Sequence, residues 1–497
     1  MSRYAVAIQR QDRPAYPERP PYHPPVAYPE FPGTTELDPT NTAYTAVRDA
    51  LALLGLDRER FGTPAWNPFK ELVRPGDTVF LKPNMIAHRH VLRDEWDSLI
   101  THGSVIRAVV DYVHLALEGR GRIWLGDAPQ TDSHWDGLMD RMGLDALRAW
   151  YAARHGFAIE VIDLRDEHYV EKDGIYVETV PLPGDPRGGV AIDLANDSMF
   201  RELDAQGKRY YGAYYDWKET NAHQRSGRHE YAISKSPLSA DVFISLPKLK
   251  THKKCGITVN LKGLVGINAN KNWLPHYAFG GPEDGGDQFE RSSMKTRFEN
   301  WIVVPAKQML LSNMPLVKSI ARRTKKVGYD VFGSNEHVIR SGNWHGNDTV
   351  WRMCLDLNRI LAYGGEDGSM RPAGGAKRYF SLVDGIVAMD GDGPQAGNRR
   401  AEGLVIAGDN PVAVDAVCAR LMGFDPQKIA LVRAAFEPHR WPLIDGDEAD
   451  ISPFSNVPAW SRPLAAWSPE DSLRFAPHFG WTGTLEWTYP AVATPTA

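Results

Sequence analysis

The sequence predicts an α/β fold in which helices flank a mostly parallel sheet. Short apolar runs of the kind that form buried strands alternate with helical patterns over residues 77–163. The same alternation returns from residue 379, where two apolar runs precede a helix that begins at Pro411. Strands and helices in this order form crossover units, and a parallel sheet is the result.

The length of 497 residues and the hydrophobic fraction of 42% suit a globular protein with a large core. We divide the chain into an N-terminal part at residues 1–75, an α/β core at 76–437 and a tail at 438–497. Long irregular insertions interrupt the core at about 166–239 and 270–375. The tail is rich in Pro and Trp without periodicity, so we expect a C-terminal arm that wraps around the core.

The first half of the chain opens with a strand and a proline-rich stretch, residues 13–39, which we expect to be an extended arm. Ser104 is the expected N-cap of a helix whose valines recur at helical spacing. The predicted strands of this half are residues 4–8, 77–81, 122–126 and 159–162, with a hairpin around 175–180. The predicted helices are residues 42–56, 104–117 and 135–155.

The second half repeats the pattern, with long insertions between its strands. The predicted strands are residues 242–246, 379–383 and 404–407. The predicted helices are residues 301–323, 349–361 and the helix that begins at Pro411. We expect the Met and Leu residues of 301–323 to pack against the body of the protein or against a second subunit, which leaves a homo-oligomer open.

The stretch 241–270 is the part of the sequence that bears most directly on function. A buried strand at 242–246 is followed by Pro247, which has no N–H for a strand ladder and should end the pairing. A run of lysines with one histidine comes next. We expect it to form a loop at the carboxyl edge of the sheet, where open α/β sheets bind ligands. The alternative is an ordinary solvated charge run.

Lysine and histidine side chains in this loop predict a site for an anion. Lysine ammonium groups can hold a carboxylate or a phosphate, and histidine can transfer a proton near neutral pH. Because residues 78–81 and 242–246 both run into a proline and a lysine, we expect Lys82 and Lys248 to face one pocket. The candidate catalytic residues are His252, Lys248 and Asp127. The candidate substrate-binding residues are Lys82, Asn84, Lys250, Thr251, Thr258 and Lys262.

A glycine-rich acidic segment, DGIVAMDGDGPQAG, offers candidate metal ligands in Asp384, Asp390 and Asp392. Their carboxylate oxygens suit magnesium or another divalent cation, and the alternative is a structural Asp/Gly turn without metal. The spacing is not that of an EF-hand, and neither GxxxxGK[ST] nor GxGxxG before a helix occurs, so no nucleotide fingerprint is present. His88 and His90 are interpreted as part of a solvated, arginine-rich loop.

Composition argues against several functional classes. The three cysteines, Cys255, Cys354 and Cys418, lie far apart without a CxxC pair, so we expect no iron–sulfur cluster and no disulfide framework. The net charge of -5 gives no reason to expect nucleic acid as a partner. The N-terminus lacks the apolar core of a signal peptide, and no stretch approaches the length of a membrane helix. We therefore expect a cytoplasmic protein without a membrane partner.

Five motifs are spread through the predicted core: LKPN at 81–84, THGSVIRAVV at 101–110, PKLKTH…GITVNLKGLVGI at 247–267, DGIVAMDGDGP at 384–394 and NPVAVDAVCARLMGFDP at 410–426. Together they resemble the domain-of-unknown-function family 362. The resemblance covers roughly residues 75–435. It implies an α/β fold and no particular reaction.

The chain lacks one feature of many family members and is distantly similar to a second family. Many members of the family carry ferredoxin-like cysteine modules, and this chain departs from them because it has none. The chain is also distantly similar to the amino-terminal domain of lactate-racemase-like proteins, which act on small hydroxy acids. It shows no evidence of the attachment of their nickel cofactor, so this second similarity implies the fold alone.

Two hypotheses of function follow from these observations. In the first, the protein is an enzyme that acts on a small anionic metabolite, carboxylated or phosphorylated, by acid–base chemistry, with or without a divalent cation. In the second, it is a non-catalytic ligand-binding or scaffold protein. The first requires His252 and an acidic residue to share one pocket with the lysines, whereas the second makes no such demand.

Overall fold

The computed structural model describes residues 3–172, 175–214, 216–310 and 338–488. Apolar and β-branched runs form the strands of the central sheet. In chain order the strands are β1 (Tyr4–Arg10), β2 (Thr78–Pro83), β3 (Arg122–Asp127), β4 (Ile159–Asp163), β5 (Glu167–Lys172), β6 (Ile175–Pro181), β7 (Gly189–Asp193), β8 (Tyr210–Gly212), β9 (Gln224–Arg225), β10 (Arg228–Ser234), β11 (Val242–Leu246), β12 (Lys248–His252), β13 (Gly256–Thr258), β14 (Pro275–Ala278), β15 (Arg378–Asp390), β16 (Asn398–Gly408) and β17 (Ile451–Ser455). The helices are α1 (Thr42–Leu53), α2 (Gly103–Leu117), α3 (Trp135–Met142), α4 (Leu144–His155), α5 (Trp217–His223), α6 (Lys235–Ser239), α7 (Asn260–Gly263), α8 (Met294–Leu310), α9 (Val350–Tyr363), α10 (Pro411–Met422) and α11 (Ala430–Arg433).

One large sheet organises the molecule, with the strand order β17-β1-β16-β15-β11-β2-β3-β4. Strands β15, β11, β2, β3 and β4 run parallel, whereas β16 is antiparallel to both β15 and β1. Strand β12 pairs with β15 beyond the end of β11, and β13 pairs with β12. The predicted α/β fold with a mostly parallel sheet and flanking helices is therefore confirmed.

Two hydrophobic cores lie on opposite faces of this sheet, because successive residues of a strand point to opposite sides. In β11, Val242 and Ile244 belong to one core and Phe243 belongs to the other. Helix α2 packs into the first core through residues such as Val105, and α10 packs into the second through Val414. Burial on both faces explains why these parallel strands are continuous apolar runs.

Local signals place the helices close to their predicted bounds. Asn410 caps α10, which carries a proline in its first turn as expected. The helical stretch predicted at 135–155 is divided into α3 and α4 because Gly143 adopts a φ of 62°. The N-cap of α2 is His102 rather than Ser104, since the His102 imidazole accepts a hydrogen bond from the Ser104 backbone N–H at 3.1 Å.

Two segments that the sequence assigned to loops are strands. Strand β12 resumes pairing immediately after Pro247, because the proline falls between two strands, where no ladder N–H is needed. Strand β15 runs for 13 residues and ends at Asp390, so it includes most of the acidic segment. Its second half is stabilised by β12 on one side and β16 on the other.

Both ends of the described chain contribute to the large sheet. Strand β1 pairs with β16 on one side and, in parallel, with β17 from the tail on the other. The tail therefore contributes a strand as well as packing buried aromatic residues such as Trp481 against the core. The proline-rich arm at 13–39 contains neither strand nor helix.

The insertions form small sheets of their own, with β5 against β6, β10 between β7 and β9, and β8 against β14. The predicted hairpin around 175–180 corresponds to β5 and β6. Helix α8 covers the start of the helix predicted at 301–323, and residues 311–323 lie outside the described residues. None of the described helices combines the length and the apolar character needed to cross a bilayer.

Candidate functional site

A cavity of about 270 Å³ lies at the carboxyl ends of β2 and β3. From β2 the chain moves outward to β3 and β4 and then returns to β11 on the other side of β2. Open α/β sheets bind ligands at such a reversal of strand order. The charged and imidazole-bearing residues that line the cavity are Lys82, Lys253, Lys254, Lys262, Lys271, Arg340, His252, His276 and Asp127.

An ion pair between two neighbouring strand ends forms the base of this cavity. Lys82 Nζ lies 2.9 Å from Asp127 Oδ1, and both side chains are buried. The other oxygen of Asp127 accepts a hydrogen bond from the backbone N–H of Met85 at 2.8 Å. Gly266 lies directly against the pair, where a β-carbon would overlap the Asp127 carboxylate, so a glycine is required there. Asn84 lines the cavity beside this pair.

Lys262 reaches the cavity from the short helix α7, which Asp415 of α10 anchors. The buried Asp415 carboxylate accepts hydrogen bonds from the backbone N–H groups of Asn260 and Leu261, both at 3.0 Å. Burial raises the pKa of Asp415 to about 7. The start of α7 is thereby fixed to the core. Lys262 has neither an ionic nor a hydrogen-bonding partner within the described part of the chain, so its charge is available to a ligand.

Lys271 adds a second ammonium group to the cavity wall. Its Nζ donates hydrogen bonds to the backbone carbonyls of Val265 at 3.0 Å and Asn268 at 3.1 Å. Burial, opposed by Asp127 and reinforced by Lys82, lowers the pKa of Lys271 to about 7. Lys271 therefore changes its charge within the physiological pH range.

Two imidazoles line the cavity in opposite tautomers, as inferred from their hydrogen bonds. His252 Nδ1 accepts from the backbone N–H of Lys254 at 3.1 Å, so neutral His252 carries its proton on Nε2. His276 Nδ1 lies 2.9 Å from the carbonyl oxygen of Leu274 and donates to it, so its Nε2 holds a lone pair. One imidazole is thus a hydrogen-bond donor and the other an acceptor.

Burial keeps both imidazoles neutral near pH 7. Burial, reinforced by Lys262, holds the pKa of His252 well below its usual value. Burial and the nearby Lys254 do the same for His276. The His276 imidazole also lowers the pKa of His252, because two protonated rings would repel each other.

Positive charge exceeds negative charge around the cavity. Among the lining residues that the structure describes, Asp127 is the single carboxylate, and Lys82 already pairs with it. The remaining lysines face a partly buried space in which electrostatic attraction is stronger than in water. The cavity therefore has the charge distribution of an anion-binding site.

Five of the residues singled out in the sequence meet at this cavity, and four of the others do not. Those that line it are Lys82, Asn84, Asp127, His252 and Lys262. Those that do not are Lys248, Lys250, Thr251 and Thr258. The expectation that Lys82 and Lys248 share one pocket is therefore wrong, although His252 and an acid do share one with the lysines.

The reason for this difference is that the lysine run is a paired strand and not a loop. Lys248 Nζ donates to the carboxylate of Asp384 at 3.0 Å and to the Tyr16 hydroxyl at 2.7 Å, so it pins the N-terminal arm to the sheet. Lys250 Nζ donates to the backbone carbonyl of Leu99 at 2.7 Å. Both ammonium groups are fully buried and have structural partners.

Thr251 and Thr258 have structural positions as well. The Thr251 hydroxyl donates to the carbonyl of Gly391 at 2.9 Å, and Gly393 packs against the Thr251 backbone, where no β-carbon would fit. The close backbone approach that these glycines permit is therefore to β12 rather than to a ligand. Thr258 is buried in β13, opposite Lys250.

The three candidate metal ligands have separate partners. Asp384 binds Lys248, as described above, while Asp390 Oδ2 lies 2.9 Å from Arg400 Nη1. Asp392 Oδ1 accepts from the backbone N–H of Phe479 at 3.2 Å. Within the described ranges, no group of three or more His, Cys, Asp or Glu side chains is placed to hold a metal ion. The arrangement corresponds to the alternative reading, a structural Asp/Gly segment.

Sequence reasoning missed Lys271 and His276. Both follow the apolar segment that ends at Ile267, within the stretch ANKNWLPHY, which has no strand or helix periodicity. A lysine flanked by asparagines directly after a buried segment was the available signal. Lys271 lies in a 3₁₀ turn and His276 in β14, so the insertion closes back over the sheet edge.

Part of the chain matches a family model, and the chain is distantly similar to one other sequence and to two solved structures. A thylakoid-associated protein of Synechocystis sp. is 22% identical over 362 residues, which cover 73% of this chain and 68% of that protein. A structural-genomics protein from Thermotoga maritima matches with 9% identity and a TM-score of 0.27, over 73% of this chain and 54% of that one. The lactate racemase apoprotein from Thermoanaerobacterium thermosaccharolyticum matches with 10% identity and a TM-score of 0.31, over 76% of this chain and 55% of that one.

The chain thus spans about half the length of each of these two structures, and TM-scores of this size do not establish a common fold. Residues 197–420 match the sequence model of the family described as Domain of unknown function (DUF362). The matched segment contains His252, Lys262 and Lys271, while Lys82 and Asp127 precede it. The chain therefore contains a DUF362-family segment at residues 197–420, in agreement with the family resemblance of its motifs.

Proposed function

We propose that the protein is an enzyme that binds a small anionic metabolite in the cavity at the ends of β2 and β3 and acts on it by acid–base chemistry. The observation that carries the proposal is the meeting of unpaired lysine charge with two neutral imidazoles of opposite tautomer in one cavity. The metabolite carries a carboxylate or a phosphate, because these are the anions that lysines bind most readily.

Anion binding in this proposal rests on Lys262 and Lys271. Lys262 has no partner within the described residues, and Lys271 has only backbone carbonyls as partners. Lys82 contributes less, because Asp127 already neutralises its charge. The Lys82–Asp127 pair instead keeps the base of the cavity rigid and aligns the ends of the two strands.

Proton transfer rests on the two histidines. His276 Nε2 holds a lone pair and is the proton acceptor. His252 donates a hydrogen bond from Nε2 and stabilises the oxyanion that develops when the proton leaves. A neutral imidazole suits this second role, because its Nδ1 is occupied by the backbone N–H of Lys254. Low pKa values keep both rings in these states at neutral pH.

The proposal is tested by screening carboxylated and phosphorylated metabolites for thermal stabilisation of the wild type, Lys262→Met and Lys428→Met. Lys428 is exposed and lies outside the cavity, so its variant controls for the loss of one positive charge. We expect a ligand that stabilises the wild type and Lys428→Met but not Lys262→Met. The absence of any stabilising anion, or equal stabilisation of all three proteins, would contradict anion binding.

Catalysis is tested separately from binding, with the stabilising ligand in deuterated water. We expect the wild type to exchange a carbon-bound proton of the ligand, which proton NMR detects as a loss of signal. His276→Gln should retain binding and lose exchange, because glutamine has no ring nitrogen to take a proton. Binding without exchange in the wild type would favour the non-catalytic ligand-binding protein.

A further inference from the structure

A second cavity, of about 720 Å³, lies beside the first. It is formed by the loop after β2, the loop after β3, helix α3 and strand β5. The charged and imidazole-bearing residues that line it are Arg89, Arg93, Arg141, His88, His90, His134, His168, Asp94 and Asp132. The sequence predicts a solvated, arginine-rich loop at His88 and His90, whereas in the structure both residues line this cavity.

Two glutamine side chains separate the cavities. Gln130 and Gln395 line both of them. Gln395 Nε2 donates to Gln130 Oε1 at 2.6 Å, and Gln130 Nε2 donates back at 3.3 Å. The backbone behind Gln130 is fixed, because the Arg165 guanidinium donates to the carbonyls of Gln130 and Ser133 at 2.9 and 2.8 Å. The boundary between the cavities thus includes two side-chain amides that bond to each other.

Two guanidinium groups in the second cavity are available to a ligand. Arg89 and Arg141 have no ionic or hydrogen-bonding partner within the residues that the structure describes. Arg93, in contrast, donates to the carbonyl of Gly397 at 2.9 Å. Of the two carboxylates in the lining, Asp132 accepts from the Tyr214 hydroxyl at 3.2 Å. Planar guanidinium groups match the oxygen pairs of carboxylates and phosphates.

Three of the four imidazoles in the lining lie close together. The ring centroids of His88 and His134 are 4.8 Å apart, and those of His134 and His168 are 5.7 Å apart. His88 Nδ1 accepts from the backbone N–H of His134 at 3.2 Å, so its Nε2 is a donor. His168 Nδ1 is buried without a hydrogen-bond partner. The His88 Nε2–H can therefore donate to an oxyanion, and in the described residues these rings do not form a metal-binding group.

We propose that the second cavity binds a second oxyanion group of the same ligand, so that the ligand carries two acidic groups joined by a chain that passes between Gln130 and Gln395. The shared glutamine wall and the unpaired arginines carry this inference, which rests on the proposed anion site in the first cavity. One acidic group meets Lys262 and Lys271, and the other meets Arg89 and Arg141. The chemical class is a diacid with carboxylate or phosphate ends.

The test compares diacids with monoacids of the same chain length. Calorimetric titrations of the full chain use the dicarboxylates from succinate to sebacate against the matching monocarboxylates, and alkanediol bisphosphates against alkyl phosphates. We expect one chain length at which the diacid binds at least about tenfold more tightly than its monoacid, because the second group binds at a high effective concentration. The carboxylate and phosphate series show which acid the site prefers.

Matched variants assign that gain to the second cavity. Arg141→Gln should abolish the advantage of the diacid and leave monoacid affinity unchanged, whereas Arg148→Gln, an exposed arginine of the adjacent helix α4, should change neither. If Arg141→Gln fails to fold, Arg89→Gln replaces it, because Arg89 is exposed; this variant should also abolish the advantage of the diacid. Diacids that bind no better than monoacids, or a gain that survives both variants, would overturn this inference.

Failure of the two proposals can be told apart. If monoacids bind and Lys262→Met abolishes their binding, the first cavity is an anion site whatever the diacids do. If neither monoacids nor diacids bind the wild type, the proposed function fails and the diacid inference fails with it.

Discussion

At the scale of single residues, Lys271 gives the site a pH dependence. Its pKa of about 7 means that the ammonium is charged below this pH and neutral above it. Anion affinity should therefore fall as the pH rises through about 7, by about tenfold for the loss of one charge-assisted hydrogen bond. Titration with sulfate from pH 6 to 8 measures this, because the charge of sulfate is constant over the range. His252 and His276 stay neutral there and add no step.

Two variants distinguish the titration of Lys271 from the titration of a neighbouring group. Lys271→Met should bind sulfate weakly at every pH, with a flat profile. Burial also raises the pKa of Glu167 to about 7, and its carboxyl accepts a hydrogen bond at 3.4 Å from Asn272, the residue after Lys271. Ionisation of Glu167 would also weaken anion binding as the pH rises. Glu167→Gln is therefore the control, and it should keep the pH dependence because Lys271 is still present. A sloping profile in Lys271→Met would show that another group titrates.

Three of the five sequence candidates that line the cavity share one feature: they lie at or near the carboxyl end of a strand. Lys82, Asp127 and His252 could be found in this way, because the carboxyl ends of parallel strands meet at one edge. Lys271 and His276 could not. Their place at the cavity depends on the path of an irregular insertion, and no periodicity in the sequence specifies that path.

At the scale of elements, the short helix α7 depends on Asp415. Replacement by leucine in Asp415→Leu would leave the backbone N–H groups of Asn260 and Leu261 buried and unpaired. We expect the free energy of unfolding to fall by about 2–6 kcal/mol, at about 1–3 kcal/mol for each of the two unsatisfied groups. Urea denaturation measures this loss, and sulfate titration should show weaker binding because α7 carries Lys262.

Asp415→Asn is the matched control for this prediction. An asparagine side chain keeps one acceptor oxygen at the same position, so stability and sulfate binding should lie between those of the wild type and Asp415→Leu. If Asp415→Leu were as stable as the wild type, the carboxylate would not be what anchors α7.

Strand β12 and the second half of β15, which the sequence analysis did not predict, depend on partners that are distant in the sequence. A run such as KLKTHKK resembles a solvated loop because nothing nearby in the sequence pairs with its lysines. The partners of Lys248 and Lys250 are Tyr16, Asp384 and the carbonyl of Leu99, each more than a hundred residues away. Only the assembled sheet makes buried ammonium groups acceptable in a strand. The fold class, in contrast, follows from local periodicity, and it was predicted correctly.

At the scale of the whole molecule, the tail supports the site from outside. Trp481 is buried, and its indole N–H donates to the carbonyl of Lys253 at 2.9 Å, next to His252. Trp481→Ala should lower the free energy of unfolding by about 3–5 kcal/mol, as is typical when a buried aromatic side chain is removed. Trp481→Phe should cost less, since it keeps most of the packing. Thermal denaturation with and without sulfate measures both effects. If Trp481→Ala were as stable as the wild type, the tail would not stabilise the site.

The position of β1 has a consequence for how the protein is made. Val6 pairs with Gly408 on one side and Pro453 on the other, so β1 is synthesised long before either of the strands that pair with it. Its backbone has no sheet partner until β16 has been synthesised, and pairing over such separations is slow. The strands that carry Lys82 and Asp127 can associate earlier, because β2, β3 and β4 are close in the chain. Translation thus completes the strands that hold the Lys82–Asp127 pair before it supplies the partners of β1.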